Sequence, residues 1–147
     1  MMASAILGVV LPIGVVVAWV RRTLAVVTVR GTSMEPTYHR GDRVLVRRVG
    51  VGGLRVGRVI VVAAGRPVGA PSLDSPVWMI KRLAAMPGDP VPPGQVVGGL
   101  PTPDDTVPDD CLVVLADNPS GADSRQLGYF ATGNLLGVVV RQLSRSA

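Results

Sequence analysis

Ser33 stands in the stretch GTSMEP, residues 31 to 36, with Gly31 two residues before it and Pro36 three after. A serine hydroxyl becomes a nucleophile only when a neighbouring base takes its proton. The chain offers few bases. His39 is its only histidine, six residues after Ser33 on the same short loop. There it cannot be positioned independently, as the imidazole of a Ser-His-Asp triad must be. Cys111 is the only cysteine. No intrachain disulfide is therefore possible, and within CLVVLA it reads as an inert core thiol. One histidine with no cysteine nearby makes a poor zinc site, so neither metal nor cofactor is expected.

Lys81, in VWMIKRLAAM, is the remaining base. Side chains alternate between the faces of a strand. Val77, Met79, Lys81 and Leu83 then share one face, and Trp78, Ile80 and Arg82 the other. An ammonium on an apolar face loses its hydration and its pKa falls. The neutral amine can accept a serine proton. On this reading Arg82, facing the other way, tolerates replacement by lysine. A lysine can equally lay its stem on apolar surface and carry its charge to water, and alternation alone leaves both open. A third segment, ADNPSGADSR (residues 116 to 125), is dense in Asp, Asn and Ser. It suits a hydrogen-bonded brace, or a plain turn. Ser33 has its own structural alternative, because Thr32 and Glu35 have capping-box spacing. Pro36 and the absence of an apolar helical run after it weigh against that helix.

These residues need a frame. A chain of 147 residues is one domain's worth. Hydrophobic residues make up 48% and aromatics 3%, so the core is built from Val, Leu, Ala and Ile, and valine favours strands. Eighteen glycines and 13 prolines favour turns over long helices. The fold is mainly β. LAVVTVRGTS, GDRVLVRRV, GRVIVVAA, VWMIKRLAAM, CLVVLADN and LLGVVVRQL read as strands. Residues 65–76 read as a loop, 90–110 as a loop or short hairpin, and GADSRQLGYF as a polar loop. Pro87-Gly88 predicts a type II turn. The first 20 residues carry no charged side chain, long enough for a helix to cross a bilayer. Trp19 followed by Arg21 and Arg22 looks like an interface anchor. A cleaved signal needs a basic start and a small-x-small site, and both are missing. The domains expected are an anchor over 1–22 and a catalytic domain over 23–147. The formal charge of +5 suits an anionic membrane surface. Without interleaved aromatics it does not suit nucleic acid.

Together, GTSMEPTYHRGDRVLV, KRLAAMPGD and ADNPSGADSRQLG, in this order, resemble the type I signal peptidases, the S26 serine proteases with a Ser-Lys dyad. The resemblance runs from about residue 25 to 141 and includes the anchor upstream of the serine. The stretch 90–110 is too short for a large accessory domain, which points to a short form, actinobacterial-like or organellar-like. The resemblance implies antiparallel sheets of the signal-peptidase and self-cleaving-repressor type, behind one N-terminal transmembrane helix. It implies removal of signal peptides, after small residues, from exported precursors. It makes Ser33 the nucleophile and oxyanion donor through its backbone N–H, and Lys81 the general base. Asp117, Asn118, Asp123, Ser124 and Arg125 become the brace. The pattern also departs from the family. Ala116 stands where many members have glycine, and the loop from Asn118 to Asp123 is one residue shorter. Gly121 stands where the family has a serine that contacts the lysine, a role open to Ser120 after a one-residue shift. Gly31 stands where some members carry a second, side-chain oxyanion donor.

The implied partners are precursor proteins and membrane lipid, with the domain single-pass anchored and extracytoplasmic. Arg21 and Arg22 conflict with that topology, because positive charge favours the cytoplasmic side. Other readings are a maturation protease dedicated to one precursor and an inactive membrane-tethered β module. A self-cleaving repressor would need a DNA-binding helix pair where the apolar run stands. The oligomeric state is not legible.

Overall fold

The computed structural model describes residues 2–64, 76–92 and 106–145, with side chains from Ile13 onward. A helix, α1 (Met2–Thr23), runs into β1 (Leu24–Thr28). There follow β2 (Arg43–Arg47), β3 (Val59–Ala63), β4 (Trp78–Ala85), β5 (Cys111–Leu115), a short α2 (Ser124–Leu127), β6 (Phe130–Ala131) and β7 (Leu135–Ser144). The strands form one curled antiparallel sheet in the order β1-β2-β7-β3-β4-β5-β6.

The strand sequences explain their places. In β2, RVLVR, Val44 and Val46 are fully buried while Arg43 and Arg47 are exposed, as period-2 patterning requires. In β3, VIVVA, all five residues are buried, as expected of a strand covered on both faces. Val59 and Val61 join one core with Val44, Val46, Ile80 and Met34. Ile60 and Val62 join a second with Leu83, Leu112, Val114 and Phe130 on the opposite face. Each fully buried Val or Leu contributes on the order of 2 kcal/mol, so a polar substitution in β3 damages one whole core.

The turn after β4 forms as predicted. The Asp89 N–H donates to Met86 O at 3.0 Å and Gly88 has φ +81°, a conformation that glycine adopts at the third position of a type II turn. Pro90 and Thr106 form an isolated antiparallel bridge. Residues 93–105, and residues 65–75 of the loop expected over 65–76, lie outside the described residues. The expectation of a polar loop over residues 121–130 needs correction. Residues 124–127 form α2, whose N-cap is Asp123 with Gln126 completing a capping box. The box considered at Thr32 and Glu35 does not begin a helix, because residues 33–37 form turns. The expectation of a transmembrane span over residues 1–22 finds no support among the described residues, where no helix is long and apolar enough to cross a membrane.

Candidate active site

Ser33 is held on a turn that leaves the sheet just after β1. Val29 continues the β1–β2 pairing, donating to Asp42 O at 2.8 Å and accepting from the Gly41 N–H at 2.9 Å. The chain then reverses at Gly31, φ +90°. Side chains rarely adopt that conformation, so a side-chain oxyanion donor is not accommodated at residue 31. Met34, 1% exposed, plugs the turn into the first core. Its neighbour Ser33 is left half-buried at the wall of a groove.

Lys81 lies on β4 opposite Ile60. It is 1% exposed, so its charge does not reach water as a snorkelling lysine's would. Its strand face carries Met79 and Leu83, both packed in the second core. Val77 does not belong to this shield. It precedes the strand, lines the groove and is 55% exposed. Among the described residues Lys81 makes no hydrogen bond or ion pair. Burial pushes its amine below the usual lysine range, against a partial pull upward from the Asp123 carboxylate.

The segment after β5 braces both residues. The Asn118 N–H donates to Ser33 O at 3.0 Å, and its side-chain Nδ2 donates to Thr32 O at 3.1 Å. Gly121 lies against Ser33 itself. Asp123, wholly buried, accepts from the Ala116 N–H at 2.8 Å and pairs with Arg125 at 2.7 Å. Burial opposes the Asp123 charge, but these bonds and the Arg125 N–H together hold its carboxyl below the usual range. Ser124, also buried, accepts from the Val114 N–H at 2.9 Å and so clips α2 to β5. Ser120 is exposed, and its backbone N–H caps Asn118 Oδ1 at 3.0 Å. It belongs to the surface of the brace.

Three contributors were missed in the sequence. Arg82 is not an inconsequential neighbour. Its Nε and Nη2 donate to the two carboxylate oxygens of Asp117 at 2.7 and 2.6 Å, and its Nη1 donates to Gly57 O at 2.8 Å. Thr37, on the Ser33 turn, donates to the same carboxylate. One carboxylate thus joins the strand of Lys81 to the turn of Ser33. The Arg82 guanidinium holds the Asp117 carboxyl below its usual range, burial opposes this, and Thr37 assists it. Gly121 is the third. Alternation marked the faces of β4 but not a bidentate partner 35 residues away. Among the described residues no cluster of three His, Cys, Asp or Glu side chains could hold a metal.

The groove has a volume of about 980 Å³ and runs between β1 and the start of β4, with Ser33 and Met34 in its wall. Two strand edges face it. Among the described residues β1 pairs only with β2. The bonds of Thr23 to Arg48 and of Val29 to Asp42 set the alternation, which turns the backbone groups of Val26 and Thr28 to the open side. β4 pairs with β5 only from Arg82 onward. The Val77 bond to Ala64 sets the alternation there, leaving Trp78 and Ile80 with free backbone groups. Such a slot accepts an extended peptide as an added strand.

A family model described as signal peptidase, peptidase S26, matches residues 2–98 of the chain, more than half its length and inclusive of Ser33 and Lys81. No curated protein matches the chain.

Proposed function

The chain belongs to the signal peptidase S26 family, and from that premise we propose that it is a membrane-anchored serine endopeptidase with Ser33 as nucleophile and Lys81 as base. The neutral Lys81 amine takes the proton of Ser33 Oγ as that oxygen attacks the scissile carbonyl carbon. The Ser33 N–H donates to the oxyanion that develops. The ammonium then gives its proton to the departing amine, leaving an acyl ester on Ser33. Water, deprotonated by the same amine, hydrolyses the ester.

The observation that carries this reading is a buried lysine that makes no hydrogen bond or ion pair among the described residues, on the strand that borders the groove holding Ser33. Such a residue costs stability, and catalysis gives it a use. The substrate lies extended between the free edges of β1 and β4, with small side chains before the cleaved bond. That matches a signal peptide removed from an exported precursor on the outer side of the membrane. The anchor is the run of 20 uncharged residues.

The test is incubation of the full chain with precursor peptides, reading cleavage sites by mass spectrometry. Wild type is expected to cut after small residues, and Ser33→Ala to fold normally and cut nothing. Near-wild-type turnover by Ser33→Ala would remove the Ser-Lys reading. A single accepted precursor would mark a dedicated maturation protease.

A further inference from the structure

Four arginines converge where α1 meets the sheet. Arg21 and Arg22 occupy the last turn of α1, both exposed. The chain passes from Thr23 straight into β1. Across the ladder Leu24 lies opposite Arg47, and the Arg48 N–H donates to Thr23 O at 2.8 Å. Arg47 and Arg48 are exposed too. Arg43, opposite Thr28 at the far end of β2, and Arg141, opposite Leu45, are exposed as well. No Asp or Glu occurs in β1, β2 or β7. Among the described residues the two ion pairs are Arg82–Asp117 and Arg125–Asp123, and neither involves these arginines.

Such a cluster repels itself unless an anion neutralises it. Guanidinium groups bind phosphate oxygens in pairs. The side chains beside this cluster are apolar: Val16, Val17 and Trp19, 57%, 46% and 64% exposed. A surface that is apolar on one side and rich in arginine on the other fits the boundary between hydrocarbon and headgroups. We infer that the α1–β1 junction is a binding site for anionic phospholipid headgroups, with Arg21, Arg22, Arg47 and Arg48 holding the phosphates. Two of the four come from the helix, one from the last residue of β2 and one from the residue after it, so the lipid fixes the sheet relative to the bilayer as well as the helix within it. This gives Arg21 and Arg22 a role on whichever side the domain stands. The inference rests on the anchor reading above.

The test uses the full chain carrying Trp78→Phe, which leaves Trp19 as the one tryptophan of the two in the sequence. The protein is placed in phosphatidylcholine bilayers containing either brominated phosphatidylcholine or brominated phosphatidylglycerol, and quenching of Trp19 is read. Brominated phosphatidylglycerol is expected to quench more strongly at equal mole fraction, with the excess falling as salt rises. Arg47→Gln with Arg48→Gln should remove part of the excess, and all four Arg→Gln changes the whole of it. Each arginine is worth up to roughly fivefold in preference, the equivalent of about 1 kcal/mol at an anionic surface. All four Arg→Lys changes should retain most of it. Equal quenching by the two lipids would overturn the headgroup site and leave the anchor standing. No quenching by either would overturn both.

Discussion

Gly121 is packed directly onto Ser33. A Cβ at residue 121 would stand 2.8 Å from the Ser33 Cβ and 2.7 Å from the Ala116 Cβ, closer than real side chains approach. The brace therefore presses bare backbone against Ser33, and the turn of Ser33 is positioned by that contact. Gly121→Ala should push Ser33 out of place. We expect kcat/KM to fall at least tenfold and stability by about 1–3 kcal/mol, the usual cost of overpacking. Peptide cleavage and a thermal melt check this, and wild-type values in both would mean that the loop yields freely.

Lys81 gives a pH signature. Its amine is held below the usual lysine range by burial, so the ascending limb of kcat/KM against pH should lie below the free-lysine value of about 10.4. Lys81→Arg should be inactive, since guanidinium stays protonated. The stability effect has the opposite sign. In the window between the lowered folded pKa and the ordinary one, the unfolded chain binds more protons, so this lysine's cost diminishes as pH rises. Below that window the cost is full. Lys81→Met should therefore raise Tm at neutral pH while abolishing cleavage. A lower Tm would show that the amine stabilises the fold.

Asp123 behaves conversely. Its folded carboxyl sits below the usual range, so its contribution is present above the ordinary carboxylate pKa and is lost as pH falls through the folded value. Asp123→Ala leaves the part-buried Ala116 N–H without its acceptor and α2 without its cap. The expected cost at neutral pH is about 2–4 kcal/mol, diminishing in acid. Denaturant titrations at neutral and acid pH measure it, and an equal loss at both would show that the charge is irrelevant.

Arg82→Lys should not be mild. A lysine cannot reproduce the paired bonds to both Asp117 oxygens and the third to Gly57. The pair is part exposed, which limits the stability loss to about 1 kcal/mol. The larger effect is on geometry, because Asp117 also holds Thr37 on the turn of Ser33. A tenfold or greater loss of kcat with KM little changed is expected. Unchanged kcat would mean that this carboxylate positions nothing.

Much of the fold was legible in short-range patterns. The alternation of RVLVR and the continuous apolar run VIVVA specified how each strand is buried, and Pro87-Gly88 specified its turn. The apolar face that Lys81 interrupts was legible, but alternation left burial and snorkelling both open, and the packing around β4 decides for burial. Its shield was read only in part, since Val77 lies before the strand and opens on the groove. The box at Asp123 and Gln126 was overlooked for one at Thr32 and Glu35, two segments with the same spacing that only tertiary packing separates. Arg82 with Asp117, and Gly121 with Ser33, join segments distant in sequence, and no local pattern announces such contacts.

The sheet order places β7 between β2 and β3, which do not pair with each other. During synthesis the strands leading to Ser33 and those carrying Lys81 both emerge before the strand that separates them. Until β7 slots in, the sheet is two unaligned pieces, and the long loops that its pairing closes make that step slow. A nascent chain therefore carries Ser33 and Lys81 without the registration that the proposed hydrolysis demands. A ribosome still translating this protein holds no working protease.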